Sequence, residues 1–265
     1  MWKATSALHV GALAATAAHP HCWPWALGAV AANHAAITAA GLWPRSSLLG
    51  PNWTRLPSDI AAERVVTISI DDGPDPETTP RVLEILDRYA AQATFFCIGK
   101  RIAEHRSLAR EIAAGGHSIE NHSYSHPNYF SLLGPRAIAA EIAAAQETIA
   151  AITGQTPRFF RPPAGLRNPF LEPALRRVGL RLATWTRRGF DTVTANADTV
   201  LSRLTRRLAS GDIYVLHDGN AARDASGRPV IHEVLPRLLE QLASLSLTPI
   251  TLRSALGRSR HSKLP

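Results

Sequence analysis

From Arg64 onward, short apolar runs rich in β-branched and aromatic residues alternate with longer amphipathic stretches. The short runs fit buried strands, and the amphipathic stretches fit helices with one apolar face. The predicted strands are Val65–Ile70, Ala93–Ile98, His117–Glu120, Arg158–Phe160, Arg181–Trp185, Asp212–Leu216 and Leu247–Leu252. The predicted helices are Pro80–Ala90, Ile102–Ala114, Pro135–Thr153, Leu171–Val178, Thr199–Ala209 and Ile231–Leu245. This alternation predicts an α/β fold in which helices cover a parallel sheet that closes into a barrel.

The first polar cluster at a predicted strand end is the pair Asp71-Asp72 in the segment ISIDDGPDP. Functional side chains of barrel folds lie at the carboxyl ends of the strands. Two adjacent carboxylates repel each other, and a cation bound by one together with a proton-transfer role for the other would relieve the repulsion. A helix N-terminal turn is the alternative, because Asp and Pro both favour such positions.

A second cluster is the segment GGHSIENHSYSHP, Gly115–Pro127, at the third predicted strand. His122 and His126 are four residues apart, so one helical turn or a tight loop would point both imidazoles the same way. Two imidazoles and a carboxylate suit Zn²⁺, Fe²⁺, Mn²⁺ or Co²⁺, with positions left open for water. A His-x-x-x-His pair also arises by chance at surfaces, but the flanking glycines, asparagine and proline weaken that alternative here.

Three further polar segments follow predicted strands. The segment Phe159–Gly165, FFRPPAG, ends the fourth strand with Arg161 beside two prolines. Trp185–Thr192 follows the fifth strand, and Tyr214–Gly219 ends the sixth on His217. A single histidine at a strand end is as often a solvated turn residue as a functional group. Polar clusters at successive strand ends together predict one functional site at one edge of the barrel.

These motifs resemble, in order, the five motifs of the polysaccharide deacetylases with a NodB homology domain, carbohydrate esterase family 4. The resemblance runs from about Arg64 to Leu252; Ser69–Pro74 matches the family's first motif and His122–His126 its metal motif. It implies a distorted (β/α)7-type barrel of the NodB kind, with an apolar helical extension before it. It also implies a divalent metal ion, with zinc as the first candidate and Co, Mn, Ni and Fe as the others.

The resemblance gives each matching residue an expected role. The metal ligands are Asp72, His122 and His126. The catalytic residues are the base Asp71, the arginine that orients it, Arg161, the catalytic histidine His217, and its acidic partner Asp191. Contacts with the substrate or the oxyanion are expected from the backbone N–H of Tyr124, or of a neighbour in its loop, and from Pro163, Gly165 and Leu216. His117, earlier in the same segment, is expected to be structural rather than ligating.

These roles imply hydrolysis of the acetyl amide, or of another acyl amide, on an amino sugar of a polysaccharide or a lipid-linked glycan. Two family aromatics of the substrate groove are missing: Ala164 precedes the glycine of the third motif, and Thr192 follows Asp191. The resemblance therefore predicts the type of reaction more directly than it predicts which glycan is the substrate. A lipid-linked sugar fits a wider groove and an apolar N-terminus.

Two other functions stay open at this point. The first is a non-catalytic, membrane-anchored protein that keeps the barrel and binds glycan. The second is an iron-dependent oxygenase, because two histidines and one carboxylate also form the ligand set of those enzymes. A matched base and acid, Asp71 and His217, argue against both, because neither function needs them.

The amino-acid composition and net charge limit the kinds of molecule that the protein is expected to bind. The chain has 265 residues, of which 45% are hydrophobic, and a formal net charge of +8. This charge favours an anionic surface or substrate, such as phospholipid headgroups or sugar phosphates. The alternative is a compositional bias, since Lys occurs only at Lys3, Lys100 and Lys263. No block of basic residues is interleaved with aromatics, so nucleic acid is not an expected partner. The cysteines, Cys22 and Cys97, predict no disulfide framework.

The chain divides into three predicted parts. Residues 1–57 are an apolar segment and linker, 58–255 the catalytic domain, and 256–265 a basic tail. The linker, Trp43–Pro57, is rich in Pro, Gly and Ser. A chain that starts at Ser58 is expected to fold on its own, because every polar cluster lies after Arg64.

The apolar segment predicts membrane association through residues 5–43. Trp23–Trp43 has the roughly 20 residues that a spanning helix needs, with a Trp at each end as in an interfacial belt. Asn33 and His34 within it are costly in lipid, so a helical extension packed on the domain is the alternative. A membrane hairpin or interfacial anchor, at a bacterial inner membrane, is the prediction. Basic residues flank the segment on both sides, at Lys3, Arg45 and Arg55, and give no orientation.

Overall fold

The computed structural model describes residues 2–259, and a curled parallel sheet lies at the centre of the fold. Within these residues the strands are β1 (Val65–Asp71), β2 (Ala93–Cys97), β3 (Ser118–Asn121), β4 (Phe159–Phe160), β5 (Arg181–Leu182), β6 (Arg187–Arg188), β7 (Ile213–His217) and β8 (Thr248–Pro249). The sheet order is β5-β4-β3-β2-β1-β7-β6, with β8 paired to β1 off this path. Every pairing between these strands is parallel. The predicted α/β fold, with helices around a parallel sheet of the barrel kind, is confirmed, and the sheet curls into a half-barrel.

One chain segment connects the two edges of the sheet by changing its partner. Its first part, β5, pairs with β4, and its second part, β6, pairs with β7. Between them, the N–H of Ala183 donates to the carbonyl of Phe160, and the N–H of Thr186 donates to the carbonyl of Ile213. The single strand predicted at Arg181–Trp185 is therefore two short strands, because neighbouring residues serve opposite edges of the sheet.

Helices cover the outside of the sheet. Their bounds are α1 (Trp2–Ala18), α2 (Trp23–Leu42), α3 (Ser58–Ala61), α4 (Thr79–Arg88), α5 (Gly99–Glu104), α6 (Arg106–Ala114), α7 (Pro135–Thr153), α8 (Leu171–Arg177), α9 (Ala197–Thr205), α10 (Ile231–Ser244) and α11 (Leu252–Arg258). Within residues 2–259, three short 3₁₀ turns lie at Pro20–Cys22, Phe130–Leu132 and Pro163–Gly165. The predicted helix Pro135–Thr153 is confirmed at both ends.

Two predicted elements differ from the structure. The helix predicted at Ile102–Ala114 is the pair α5 and α6, because His105 between them takes a non-helical φ of −119° and ψ of 55°. The last predicted strand, Leu247–Leu252, is reduced to β8. Helix α11 begins at its end, where the Thr251 hydroxyl accepts the N–H of Ser254 at 2.9 Å. It continues through Arg258 into the predicted basic tail, of which residues 260–265 lie outside the described chain.

Side chains along β1 point alternately to the outer core, under the helices, and to the interior of the curled sheet. Ile68 and Ile70 belong to the outer core, together with buried side chains of α4, α6, α9 and α10. The side chains of Ser69 and Asp71 point to the interior of the curled sheet, where both bind Arg161. This period of two places the apolar side chains under the helices and the polar ones at the functional site.

The N-terminal segment is a helical hairpin of α1 and α2. The Nε2 atoms of His9 and His34 lie 3.1 Å apart and connect the two helices. Within α2 only Ala40 and Gly41 are buried, so most of this helix does not pack on the domain. The stretch Pro20–Leu42 has a mean hydropathy of 1.2 and meets the length and composition of a membrane span. Signal sequences meet the same criteria, so membrane association stays a prediction.

The predicted linker packs on the domain. Leu49 and Leu56 are each 3% exposed. The N–H of Trp53 donates to the carbonyl of Leu182, and its own carbonyl accepts from Thr184, so Trp53 extends the sheet next to β5. The composition of this segment indicated a linker, but its apolar side chains complete the core. The boundary that we propose for the domain therefore lies near residue 43 instead of 57.

This packing changes the expected result of N-terminal truncation. A chain that starts at Trp43 should keep most of its free energy of unfolding, whereas one that starts at Ser58 should lose several kcal/mol. Each buried leucine lost, Leu49 and Leu56, costs about 2–5 kcal/mol. Urea denaturation of the two truncated chains measures the difference. Equal stabilities would show that the segment contributes nothing. Both truncations lack the hairpin, so both should leave the membrane fraction if residues 5–43 are an anchor.

Candidate active site

The carboxyl edge of the sheet gathers the polar residues predicted from the sequence. Asp71 ends β1 in register with His217 at the end of β7. Asp72 follows directly, His122 follows β3, and Arg161 follows β4. Because all these strands are parallel, their carboxyl ends meet at one edge of the sheet.

Asp72, His122 and His126 form a group that could hold a metal ion, with one ligand atom from each within 4.8 Å of the others. The Asp72 Oδ1 atom lies 3.2 Å from the Nε2 atom of each histidine. The Nδ1 atom of His122 lies 2.7 Å from the carbonyl oxygen of Arg161, which leaves Nε2 facing the aspartate. The Asn220 side chain donates to Asp72 Oδ2 at 2.9 Å. Supporting hydrogen bonds of this kind orient metal ligands in proteins.

The charge of this group also fits a cation. Burial alone would raise the pKa of Asp72, but hydrogen bonds from His122 and His126 hold it well below the ordinary value of 3.8. The carboxylate is therefore anionic at neutral pH, the form that binds metal. Two imidazole nitrogens and one carboxylate oxygen match the donor sets of divalent transition metals.

The loop after β3 is held in an unusual backbone conformation. Ser123 and His126 have φ values of 65° and 52°, in the left-handed region that non-glycine residues rarely adopt. The Asn121 side chain accepts the N–H of Ser123 at 2.9 Å, and the Ser123 hydroxyl accepts the N–H of His126 at 3.1 Å. Glu141 of α7 accepts the N–H and the hydroxyl of Ser125, at 2.8 and 2.7 Å. These bonds aim both imidazoles at Asp72.

Arg161 holds the second carboxylate, Asp71. Both residues are buried, and the guanidinium donates to Asp71 Oδ1 at 2.5 Å. The guanidinium carbon lies 4.0 Å from the centre of the Phe96 ring. Its other hydrogen bonds go to the Ser69 hydroxyl and to the carbonyls of Ala183 and Thr184. This set leaves the guanidinium one orientation and so fixes the direction of the Asp71 carboxylate.

His217 faces the same space from β7 and is held by Asp191. The carboxylate lies 2.9 Å from the His217 Nδ1 atom and accepts the His217 backbone N–H at 2.7 Å. Burial alone would lower the pKa of His217, but Asp191, with Asp71 and Asp72, raises it to about 9. His217 is thus a protonated donor at neutral pH.

The prediction for the Tyr124 N–H needs correction. This N–H donates to the Glu141 carboxylate at 3.0 Å, so it is already bonded within the loop. A different N–H at the edge of the site is free: that of Ala164 donates no hydrogen bond within the described residues. Ala164 lies in the turn Pro163–Gly165 with a φ of 55°.

The other predicted substrate contacts, Pro163, Gly165 and Leu216, do not all lie in the same part of the structure. Leu216 is fully buried in the outer core, because it alternates with His217 along β7 and points under the helices. Its side chain cannot touch a substrate. Pro163 and Gly165 are buried in the turn after β4. Gly165 has a φ of 74°, and a Cβ atom there would lie 2.5 Å from the Trp185 ring, so this position requires glycine.

Several residues that hold the site were missed in the sequence. Glu141 lies within an alanine-rich helix, where no local pattern marks it. Asn220 follows the YVLHDG segment and could have been found as a polar neighbour of His217. Asp218 is buried, and burial raises its pKa to about 7, while the Thr79 hydroxyl donates to it at 2.5 Å. His117 behaves as predicted: its Nδ1 atom accepts the N–H of Ala93 at 3.2 Å, away from the metal group.

Known proteins resemble the chain in sequence. The family model described as polysaccharide deacetylase matches residues 59–183. A peptidoglycan-N-acetylglucosamine deacetylase of Bacillus cereus is 31% identical over 181 residues, which cover 68% of this chain and 84% of the relative. A chitooligosaccharide deacetylase of Azorhizobium caulinodans is 34% identical over 155 residues, 58% of this chain and 73% of the relative.

A solved structure gives the same assignment. The family 4 carbohydrate esterase from Streptomyces lividans, in complex with acetate, superposes with a TM-score of 0.63 and 31% identity. The match covers 70% of this chain and 91% of that one. Sequence, fold and the five clusters at the carboxyl edge of the sheet agree, and the chain belongs to the polysaccharide deacetylase family.

Proposed function

We propose that the protein is a metal-dependent hydrolase that removes an N-acetyl or other N-acyl group from an amino sugar of a glycan. One observation carries the proposal: the metal group Asp72, His122 and His126 shares one edge of the sheet with the Asp71 carboxylate and the protonated His217. The relatives named above act on acetylated amino sugars, which supports the same class of substrate. Membership in a family of hydrolases gives no support to the oxygenase alternative.

The metal would be held by Asp72, His122 and His126, with Zn²⁺ as the first candidate because imidazole and carboxylate suit it. When bound, such an ion lowers the pKa of a coordinated water and polarises an amide carbonyl. The remaining steps belong to side chains of the protein. Asp71, oriented by Arg161, takes the proton of the attacking water.

His217 acts on the nitrogen side of the reacting amide. Its Nε2 proton passes to the departing amine nitrogen, so that the C–N bond breaks and the amino sugar leaves with acetate as the second product. Asp191 holds the ring through Nδ1 and stabilises the imidazolium. The N–H of Ala164, which donates no hydrogen bond within the described residues, is the proposed donor to the oxyanion that forms at the acyl carbonyl.

The helical hairpin of α1 and α2 bears on where the protein is located. We propose that residues 5–43 attach it to a membrane and that its glycan is either a polysaccharide or a lipid-linked sugar. The exposed apolar side chains of the hairpin support this, among them Val10, Leu13, Trp23, Trp25 and Leu27. The bacterial inner membrane is the proposed location.

A glycan-binding protein without activity is the second candidate. It is favoured by one structural neighbour, a family 4 pseudoenzyme from Bacillus anthracis, with 25% identity and a TM-score of 0.65 over 72% of this chain and 65% of that one. A chain that only binds has no need for the matched pair Asp71 and His217. Acetate release from acetylated chitooligosaccharides, with metal content measured on the same sample, separates the two candidates. Stoichiometric metal without any acetate would favour the binding protein.

The pH dependence of turnover tests the role of His217. The acid must be protonated, so kcat should hold at neutral pH and fall as the pH rises through about 9. A bound cation opposes the contribution of Asp71 and Asp72, which places the fall at or below that pH. Asp191→Asn removes the largest cause that raises the pKa, so the fall should move to lower pH.

Stability should follow the same ionisation. The folded-state pKa of His217 is raised above its ordinary value of 6.5, so protonation stabilises the fold below pH 6.5, and this contribution is lost as the pH rises through about 9. Asp191→Asn should remove this pH dependence. An unchanged kcat profile in the variant would contradict the assigned role of His217.

A further inference from the structure

A basic cavity lies beside the active site, between the end of α2 and the segment that joins β5 to β6. Its volume is about 350 Å³. It is lined by aromatic and arginine side chains and by the chain between them: Trp43, Pro44, Arg45, Trp185, Thr186, Arg187, Arg188, Phe190 and Arg203. Four of these side chains end in guanidinium groups, and no carboxylate from residues 2–259 lines the cavity.

Three of the four arginines have no acidic partner within residues 2–259. Arg187 is neutralised, because its Nε atom donates to Asp212 at 2.8 Å. Arg203 instead donates to the Gly189 carbonyl and the Thr194 hydroxyl, and Arg45 approaches only a backbone carbonyl. Arg188 makes no ion pair, and its buried Nε atom has no hydrogen-bond partner in this part of the chain. Unpaired guanidinium groups around one cavity attract an anion.

Aromatic rings fix the orientation of Arg188. Its guanidinium carbon lies 5.2 Å from the centre of the Trp185 ring and 4.8 Å from that of Phe190. Cation–π contacts with two rings restrict the position of the guanidinium, and its buried Nε atom has no hydrogen-bond partner among residues 2–259. Phe190 and Trp43 are 46% and 62% exposed, so the cavity also offers apolar surface to a bound molecule.

The cavity adjoins the catalytic residues through shared side chains. The Trp185 ring that stacks on Arg188 also lies 5.7 Å from the Arg161 guanidinium carbon, and it packs against Gly165. Phe190 directly precedes Asp191, the partner of His217. Through Trp185 and Phe190 the cavity is therefore contiguous with the side chains that hold Asp71 and His217.

We infer that this cavity binds a phosphate-type anion carried by the substrate next to the acylated sugar. The inference rests on the proposed deacetylase function and specifies its substrate: a sugar phosphate or sugar diphosphate ester. Several unpaired guanidinium groups exceed the single charge of a carboxylate and match the charge and geometry of phosphate oxygens. The cavity wall formed by Trp43 and Arg45 follows α2 directly, so an apolar group beyond the phosphate would lie alongside the hairpin.

The test compares N-acetylglucosamine 1-phosphate with the uncharged 1-O-methyl sugar in acetate release by the full-length, metal-loaded protein. The wild type should show the higher kcat/KM with the phosphate, and inorganic pyrophosphate should inhibit competitively. Arg188→Gln keeps the side-chain length and removes the charge. It should reduce the preference for the phosphate about ten-fold or more, through KM, because a hydrogen bond to a charged group is lost. Arg88→Gln, at the exposed end of α4, is the matched control and should keep the wild-type preference.

Two outcomes overturn the inference: a wild type without preference for the phosphate, or an Arg188→Gln variant that loses activity equally on both sugars. Vesicles of phosphatidylglycerol distinguish a lipid headgroup from a substrate phosphate. If Arg188→Gln loses vesicle binding but keeps the phosphate preference, the cavity holds a headgroup and the inference is wrong. If the wild type releases acetate neither from these sugars nor from acetylated chitooligosaccharides, the deacetylase proposal fails by itself. Titration of the protein with N-acetylglucosamine 1-phosphate then decides the cavity separately.

Discussion

Asp71→Asn should reduce kcat by about 10²–10⁴-fold while the protein keeps its metal, because that range is typical for the loss of a general base. The amide cannot take the proton of the attacking water, yet the metal group Asp72, His122 and His126 is untouched. The change also leaves the buried Arg161 without its counter-charge, which costs the folded state about 3–5 kcal/mol. Turnover and metal content should therefore be measured at a temperature where circular dichroism shows the variant folded.

Asp72→Asn is the matched comparison, since the two carboxylates are adjacent and differ only in their partners. It should lower the affinity for metal, and added metal should recover part of the turnover. Added metal should not rescue Asp71→Asn, because its defect lies in proton transfer. Rescue of Asp71→Asn alone would mean that the two roles are reversed.

The parts of the fold that the sequence predicted depend on local periodicity. Each βα unit has an apolar run or an amphipathic helix of its own, so β1, β7 and α7 were found near their true bounds. The site residues were predictable for a related reason. Parallel strands bring their carboxyl ends together, so Asp71 and His217 meet although 146 residues separate them along the chain.

The features that the sequence did not predict depend on contacts between distant segments. The chain from Arg181 to Arg188 first pairs with β4 and then with β7. Nothing in the amino-acid composition of this segment indicates the change of pairing partner. Trp43–Pro57 reads as a linker, yet Leu49 and Leu56 fill core positions. Glu141, 17 residues after Tyr124 and within α7, accepts the Tyr124 N–H that was expected to bind the oxyanion.

Packing also decides which neighbours of a motif face the site. The family resemblance assigned Leu216 to the substrate contacts. Strand alternation sends the two side chains to opposite faces, so Leu216 lies with the outer core. The basic cavity could not be predicted either, because Arg45, Arg188 and Arg203 come together only when the segment after α2 packs beside β6 and α9.

Loss of an imidazole ligand should have the largest effect, because it removes both the metal and the water that the metal activates. His122→Ala and His126→Asn should each lose stoichiometric metal and nearly all acetate release, while circular dichroism and the unfolding temperature change little. Asparagine suits position 126, since His126 has a φ of 52° and asparagine tolerates that backbone better than alanine does. His105→Gln, between α5 and α6 and outside the metal group, is the matched control and should keep both metal and activity. Elemental analysis of the purified proteins after dialysis measures the metal directly. Wild-type metal content in both variants would exclude Asp72, His122 and His126 as the binding site.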